Sequence, residues 1–179
     1  MSKRQLGPIV EGRIRLRLLQ QGDLPMTLRW RNQDEIRKWF LNSAVIAWEQ
    51  HRQWYEQYQA RDDDFVFVIE TGEASWRPVG QVALYHVDGA RREAEFGRLL
   101  IGEPSARGKG FAREALEGVV RLAFGPLGLE EVYLRVRAEN DRAVSLYLKS
   151  GFQVTNREGA VLTMRRRFPA AAPSSLRAG

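Results

Sequence analysis

The stretch PSARGKGFAR, residues 104–113, decides the fold class, because it joins a strand-like run to a long amphipathic segment. Gly108 and Gly110 let the backbone turn tightly and approach a ligand without an intervening Cβ. The N–H groups at the start of a helix, together with its positive dipole end, attract anions. Further positive charge comes from Arg107, Lys109 and Arg113. The stretch predicts an anion-binding loop, although a basic turn that only caps a helix would have the same composition.

The spacing of the glycines separates this loop from two other phosphate-binding motifs. A Walker loop requires Gly-x-x-x-x-Gly-Lys-Ser/Thr, and a dinucleotide fingerprint requires a third glycine. The pattern here is Arg-x-x-Gly-x-Ala, starting at Arg107. The segment 110–127 that follows has apolar residues at helical spacing, and it ends in a stretch rich in glycine and proline.

A second motif lies at 140–152, between two predicted strands. Asn140 is a favoured N-cap residue and begins a short helix. Ala143 and Tyr147 are one turn apart and share a helix face, where the small Ala143 leaves room for another group. Taken alone, Tyr147 also fits a core aromatic whose hydroxyl lies at the rim.

The hydrophobic period switches repeatedly on either side of these motifs. Seven runs are typical of strands, at 14–18, 65–70, 79–87, 94–101, 132–137, 152–157 and 161–168. Helical spacing occurs near 23–30, 34–40, 48–60, 110–127 and 141–150. This order predicts an α+β single domain with a central mixed, mostly antiparallel, twisted sheet of about seven strands and helices on both faces. We expect a flexible lead at 1–12, the domain at 13–168 and a disordered tail at 169–179.

The composition excludes several classes of site. With 179 residues, of which 44% are hydrophobic and 28% charged, the chain can bury one core. It has no cysteine, which excludes a disulfide scaffold, a thiolate nucleophile and a cysteine zinc site. Since it has only two histidines, a histidine metal cage is not expected either, and we predict no metal.

The net charge and the distribution of apolar residues indicate which partners and which location to expect. The 28 basic and 22 acidic residues give a net charge of +6, which favours a polyanionic ligand or merely a basic surface. No apolar run is long enough for a membrane helix, and the first residues lack the apolar core of a signal peptide. We therefore expect a cytoplasmic protein without a membrane partner.

Together the two motifs resemble those of the GNAT N-acetyltransferase superfamily. The matching positions are Arg107-x-x-Gly110-x-Ala112, then Asn140-x-x-Ala143-x-x-Leu146-Tyr147-x-x-x-Gly151-Phe152. The resemblance covers about 13–168 and implies the fold of that superfamily. It implies acetyl-CoA as the cofactor, its pyrophosphate held by Arg107, Gly108, Lys109, Gly110, Phe111 and Ala112. The strand at Leu99, Leu100 and Ile101 would pair with the pantetheine arm. Asn140 and Ala143 would also contact that arm. Tyr147 would protonate the leaving thiolate.

The acceptor amine must lose a proton before it attacks, and the candidate bases are Glu95, Glu93, His86 and His51. Glu95 lies on the strand before the loop, where some members of the superfamily place a catalytic glutamate. It also fits a strand carboxylate paired with Arg98 or Arg137. The alternation of its strand makes His86 typical of a buried structural imidazole. Base catalysis through ordered water would need none of these groups.

Two further signals, Leu28-Arg-Trp-Arg-Asn32 and Glu49-x-His51-x-x-Trp54-Tyr55, concern the acceptor. With Ala94-Glu-Phe-Gly97 they resemble the GNAT branch that acetylates the 4-amino group of a nucleotide-linked amino sugar, as in the pseudaminic acid pathway. The residues that we place on the acceptor side are Arg29, Trp30, Arg31, Asn32, His51 and His86. Guanidinium groups and aromatic rings suit a diphosphate and a uracil base. The same run also fits a surface helix whose Trp packs inward.

Other acceptors and other classes of protein stay open. The alternative acceptors are a ribosomal protein N-terminus, an aminoglycoside, a polyamine or another small amine. A non-catalytic acyl-CoA-binding module would keep the loop, but the presence of Tyr147 argues against it. A nucleic-acid-binding domain would cluster its cations with exposed aromatics, whereas the arginines here are scattered, so we expect no nucleic acid. The expected partner is a small-molecule or nucleotide-sugar amine, and the chain is expected to be a monomer or a homodimer.

Overall fold

The computed structural model describes residues 6–72 and 75–168. One sheet of eight strands runs through these residues. The strands are β1 (Ile9–Glu11), β2 (Ile14–Leu18), β3 (Phe65–Thr71), β4 (Arg77–Asp88), β5 (Glu93–Ile101), β6 (Glu131–Arg137), β7 (Gln153–Glu158) and β8 (Val161–Arg167). The helices are α1 (Leu24–Arg31), α2 (Asp34–Arg37), α3 (Trp48–Gln59), α4 (Phe111–Phe124) and α5 (Asp141–Lys149).

The strands follow the order β1-β2-β3-β4-β5-β6-β8-β7, and β5 and β6 are the parallel pair of an otherwise antiparallel sheet. The predicted α+β fold with one mixed, mostly antiparallel sheet is confirmed. The eighth strand, which was not expected, is β1. It lies inside the predicted lead at 1–12 and pairs with β2. Its three residues are too few to show an alternating pattern. The beginning of that lead, residues 1–5, and the tail predicted at 169–179 lie outside the described residues.

Strand β3 separates two apolar cores, because successive side chains of a strand point to opposite faces. Phe65 and Phe67 pack in the larger core beneath α4 and α5, and both are fully buried. Val66 and Val68, which alternate with them, pack in a smaller core against α3. The sheet thus carries α4 and α5 on one face and α1 and α3 on the other, as predicted.

Helix α4 lies along the larger core and fixes the position of the loop before it. Gly118 lies so close to β2 that a Cβ there would be 3.0 Å from the Leu16 side chain. This close packing holds the N-terminal end of α4 beside the end of β5. Within the described ranges, no helix has the length and the apolar character that crossing a membrane requires.

Candidate active site

The sheet opens between β5 and β6, which pair over three residue pairs ending at Glu95 and Tyr133. Beyond these residues β5 continues to Ile101 and β6 to Arg137, and the two strands diverge. In this stretch Phe96, Gly97, Leu100 and Ile101 keep their partners on β4, and none of the residues 96–101 has a partner on β6. An unpaired strand edge of this kind offers its N–H and C=O groups to an extended ligand.

A β-bulge distorts β5 within this opening. The register with β4 shifts between Gln81 and Ala83, and Arg98 adopts a left-handed φ of 51°. This backbone conformation is costly for a residue with a side chain. The Arg98 guanidinium offsets the cost, because it donates to both oxygens of the buried Asp64 at 3.1 Å and lies 4.4 Å from the ring centre of Tyr85. Side-chain contacts therefore hold the bulge in place.

The predicted anion-binding loop lies between the end of β5 and the start of α4. Gly108 and Gly110 have left-handed φ angles of 76° and 89°. The N–H of Arg113 donates to the Gly110 carbonyl, and within the described residues the five N–H groups from 108 to 112 have no acceptor. A Cβ added at Gly108 would meet no atom within 4 Å. The loop thus has the free donors and the open space that a diphosphate requires.

The cations beside this loop differ in orientation. Lys109 and Arg113 are exposed, and neither forms an ion pair with a described residue. The guanidinium of Arg107 turns away from the loop, donating at 3.1 Å from Nε to the Ile101 carbonyl and from a terminal nitrogen to Glu35 of α2. The N–H of Arg107 also donates to the Pro104 carbonyl, at 3.2 Å, so its backbone donor is engaged as well, and its side chain fastens the loop to α2.

The predicted pantetheine-binding residues of β5 present their backbone to the opening. Leu100 packs with Trp30 on one face of the sheet. Leu99 and Ile101 pack in the larger core on the other face. At the start of α4, the Phe111 ring is buried in that core and Ala112 is half-buried, so their N–H groups are what they offer to a ligand.

Helix α5 brings Tyr147 to the α4 face of the opening. Asn140 caps this helix by accepting the N–H of Ala143 at 3.2 Å, as predicted. The Tyr147 ring packs edge-on against Phe96, the first residue of β5 beyond the paired stretch, with 6.1 Å between ring centres. Burial raises the pKa of the Tyr147 phenol above its ordinary value. Within the described residues the hydroxyl has no hydrogen-bond partner, so its proton is available to a neighbouring group.

Glu95 lies at the narrow end of the opening, on the face opposite to Tyr147. Its side chain is buried, and its carboxylate accepts hydrogen bonds from the Tyr85 hydroxyl at 3.0 Å and from Arg135 Nε at 3.2 Å. Burial, and then the neighbouring carboxylate, raise the pKa of Tyr85, and Glu95 also raises the pKa of Arg135. Both donors therefore keep their protons. The predicted partners Arg98 and Arg137 bind elsewhere, and Arg135 takes their place.

His86 is the third group on this carboxylate, with Nδ1 3.2 Å from Glu95 Oε2. Its φ of 54° lies within a second register shift of β4, between Tyr85 and Asp88. In a regular strand Tyr85 and His86 would point to opposite faces, whereas here both reach Glu95. The His86 side chain is 52% exposed, so the expectation of a buried structural imidazole is wrong. The shift in register is what the alternating pattern could not reveal.

The two remaining candidate bases, His51 and Glu93, contact neighbouring side chains of the protein. His51 is buried on α3, with Nε2 3.2 Å from the Thr27 hydroxyl, and burial lowers its pKa. It stacks on Trp54 with 5.2 Å between ring centres. Glu93 lies 3.5 Å from Arg165 at the start of β5. Within the described ranges, no group of three or more acidic or histidine side chains is placed to hold a metal ion.

In the acceptor segment 29–32, Trp30 belongs to the core. Its side chain is fully buried, and Nε1 donates to Glu103 at 2.7 Å. A Cβ at Gly102 would collide with the indole at 2.0 Å, which shows how closely the ring packs on the end of β5. The ring therefore offers no free face to a base. Arg29 is exposed and lies 3.5 Å from Glu103.

The next two residues of the segment hold the connection between α2 and α3. Arg31 is buried, lies 4.0 Å from the ring centre of Phe40 and donates to the carbonyl of Asn42. The Asn32 side chain exchanges two hydrogen bonds of 2.9 Å with the backbone of Ile46. In the structure these side chains support the acceptor-side wall from within.

A cavity of about 260 Å³, not predicted from the sequence, lies beside Arg135, the partner of Glu95. Its lining residues come from the α2–α3 connection, β6, β7 and β8: Leu41, Arg135, Arg137, Glu158, Val161 and Thr163. Arg135 joins this cavity to Glu95 through the bond described above. A signal was present in the alternation of 133, 135 and 137, which places three polar side chains on one face of β6.

Known proteins are similar to this chain in sequence and in fold. The family model described as an acetyltransferase (GNAT) domain matches residues 13–153. The spermidine N(1)-acetyltransferase of Vibrio cholerae is 29% identical over 143 residues, which are 80% of each chain. The alpha/beta-tubulin-N-acetyltransferase 9 of Drosophila melanogaster is 25% identical over 72% of this chain and 68% of its own. The crystal structure of the Vibrio cholerae spermidine N-acetyltransferase with CoA and spermine superimposes with a TM-score of 0.78 at 27% identity, covering 87% of this chain and 95% of that one.

Proposed function

The chain belongs to the GNAT family and is an acetyl-CoA-dependent N-acetyltransferase, and we propose that its acceptor is the 4-amino group of a nucleotide-linked amino-deoxy sugar. In this proposal Glu95 accepts the proton of the amine and Tyr147 protonates the thiolate. One observation carries the assignment of the site: the free N–H groups of 108–112, the unpaired edge of β5 and these two side chains meet at one opening in the sheet.

The residues of the opening fit acetyl-CoA. Five free N–H donors at a helix N-terminus, without a Cβ at Gly108, suit its pyrophosphate, and Lys109 and Arg113 add charge. The cofactor supplies an acetyl group activated as a thioester. The backbone from Leu99 to Ile101 would hold the pantetheine arm along the strand edge, beside Asn140 and Ala143 of α5.

The two proton transfers occur on opposite faces of the sheet. The reaction forms a C–N bond and breaks a C–S bond, so one proton leaves the amine and one reaches sulfur. Glu95 accepts the first on the α3 face, where its hydrogen-bond donors orient it. Tyr147 donates the second on the α4 face. Burial raises the pKa of the Tyr147 phenol, so the phenol is protonated at neutral pH and has the proton to donate.

Unengaged guanidinium N–H groups on the acceptor side support an anionic acceptor. Arg98, Arg135 and Arg29 are each paired with a carboxylate, so their charge is largely balanced. The terminal nitrogens of Arg135 and Arg137 nevertheless form no hydrogen bond with a described residue, and such N–H groups suit the oxygens of a phosphate. The second candidate acceptor is a polyamine such as spermidine, which the names of the relatives favour.

A screen of acceptors for release of free CoA tests the proposal. Because the chain contains no cysteine, a thiol-reactive dye reports CoA alone. We expect a UDP-linked 4-amino-4,6-dideoxy sugar to be acetylated faster than spermidine, an aminoglycoside or an N-terminal peptide. UDP should compete with the sugar and not with acetyl-CoA. A faster rate with spermidine would transfer the assignment to the second candidate.

The role of Glu95 is tested by comparing two glutamates of the same strand. Glu95→Gln should lower kcat by about 10²–10⁴-fold, because the proton acceptor is lost, and it should leave CoA affinity unchanged. Glu93→Gln is the matched control, since Glu93 lies at the start of β5 beside Arg165. Equal rates for both variants would exclude Glu95 as the base.

A further inference from the structure

The cavity of about 260 Å³ beside Glu95 is lined by two arginines that have free donors. Arg135 uses Nε for Glu95, and Arg137 uses Nε for the Phe40 carbonyl at 3.3 Å. Within the described residues, the terminal nitrogens of neither guanidinium form a hydrogen bond. The carboxylate nearest to Arg137 is that of Glu139, at 3.9 Å. Each side chain is therefore fixed through Nε while its outer N–H groups remain available.

The backbone places these two guanidinium groups side by side. Residues 135 and 137 lie on the same face of β6, and two residues along a strand span about 7 Å. Opposite Arg135 in the register of the sheet is Thr163 of β8, which also lines the cavity and brings a hydroxyl-bearing side chain to it. Glu158, the carboxylate of the lining, accepts a hydrogen bond from Asn156 at 2.8 Å. The cavity therefore combines two fixed cations and a hydroxyl with one engaged carboxylate.

We propose that this cavity is the subsite for an anionic group of the acceptor, a phosphate or a carboxylate, bound by Arg135, Arg137 and Thr163. The inference rests on the proposed function, because Arg135 connects the cavity to the base Glu95. Guanidinium groups are suited to both kinds of anion, since their N–H groups form paired, charge-assisted hydrogen bonds. The acceptor therefore carries an anionic group within a few ångströms of its amine.

Binding of simple anions to the CoA-loaded protein tests the subsite directly. Saturating CoA occupies the loop at 108–112, so a second anion must bind elsewhere. We expect UDP to bind, detected by calorimetry, and Arg137→Gln to weaken it at least tenfold, about 1.4 kcal/mol. The matched control is Arg52→Gln, an exposed arginine paired with Glu56 on α3, which should bind UDP as the parent does. Succinate, tested in parallel, distinguishes a carboxylate site from a phosphate site.

Further variants separate binding from folding. Arg137→Lys keeps the charge and should recover part of the affinity for UDP. Thr163→Val should weaken UDP binding severalfold, and it leaves the hydrogen bond from Arg137 to the Phe40 carbonyl in place. With a pair of acceptors that differ by one phosphate, glucosamine and glucosamine 6-phosphate, Arg137→Gln should raise KM only for the phosphorylated one. The inference is overturned if neither UDP nor succinate binds, or if Arg137→Gln changes both acceptors equally. Acetylation of neutral amines with intact CoA binding would then leave the proposed acetyl transfer standing.

Discussion

The cofactor side and the acceptor side of the molecule use their conspicuous residues in opposite ways. In the loop at 108–112, the glycines expose the backbone, and within the described residues the N–H groups have no acceptor. In the segment 29–32, the conspicuous side chains of Trp30 and Arg31 are buried and bonded to the protein itself. The first region is built for a ligand at its surface, and the second supports a surface from below.

Recognition through the backbone can be predicted from a sequence more directly than recognition through side chains. Backbone recognition needs glycine at particular positions, because other residues neither adopt the angles nor leave the space. Recognition by side chains uses arginine and tryptophan, which serve equally well in ion pairs and cores. Four substitutions test this contrast between the two regions.

Removal of the Tyr147 hydroxyl should have the largest effect. Tyr147→Phe keeps the ring contacts with Phe96, so the fold and CoA affinity should persist, while kcat falls by about 10²–10⁴-fold. Tyr55→Phe is the control, because Tyr55 is also buried but belongs to the core under α3. Steady-state rates with calorimetric CoA titration measure both quantities. Retained turnover in Tyr147→Phe would assign thiolate protonation to water.

A side chain at Gly108 should weaken only the binding of the cofactor. Gly108→Leu places a side chain where a Cβ meets no protein atom, so a loss of CoA affinity of at least tenfold reports the ligand space. Gly128→Leu is matched, since Gly128 also has a left-handed φ, 62°, and open surroundings. Both variants pay a similar backbone cost of about 1–2 kcal/mol. Equal CoA affinity in the two would contradict the backbone cradle.

Truncation of Arg31 should affect stability before catalysis. Arg31→Ala removes the bond to the Asn42 carbonyl and the contact with Phe40, and we expect a loss of about 1–3 kcal/mol in the free energy of unfolding. Arg29→Ala, at an exposed neighbour, should change stability little. Urea denaturation measures both. If the stability is unchanged and the KM for the acceptor rises tenfold, Arg31 binds the acceptor and does not support the fold.

The smallest effect concerns the buried His51. Burial lowers its pKa below the ordinary 6.5. As the pH falls through about 6.5, the unfolded chain therefore takes up a proton that the folded one resists, and stability declines. Between pH 8 and pH 5 the Tm should fall less in His51→Gln than in the parent. Parallel curves for the two proteins would show that His51 is solvated.

The fold was predictable because its signals are local. Strand alternation and the apolar stripe of α4 mark elements, and the order of those elements restricts the topology. The loop and the cap at Asn140 were predictable for the same reason. The cluster around Glu95 was not, because His86 reaches it through a register shift and Arg135 through the pairing of β5 with β6. Such contacts arise from the sheet as a whole, and residue spacing along one segment does not contain them.

The short pairing of β5 with β6 leaves few backbone contacts between the two parts of the sheet. Within the described residues, three residue pairs and the hydrogen bonds from the N–H groups of Glu130 and Glu131 to the Arg92 carbonyl join β1–β5 to β6–β8. A ligand lying along the open edge bridges the two parts of the sheet and stabilises the folded chain by about 2.7 kcal/mol at a hundred times its Kd. By the same linkage, a protease should cleave the chain more slowly at saturating acetyl-CoA than in its absence.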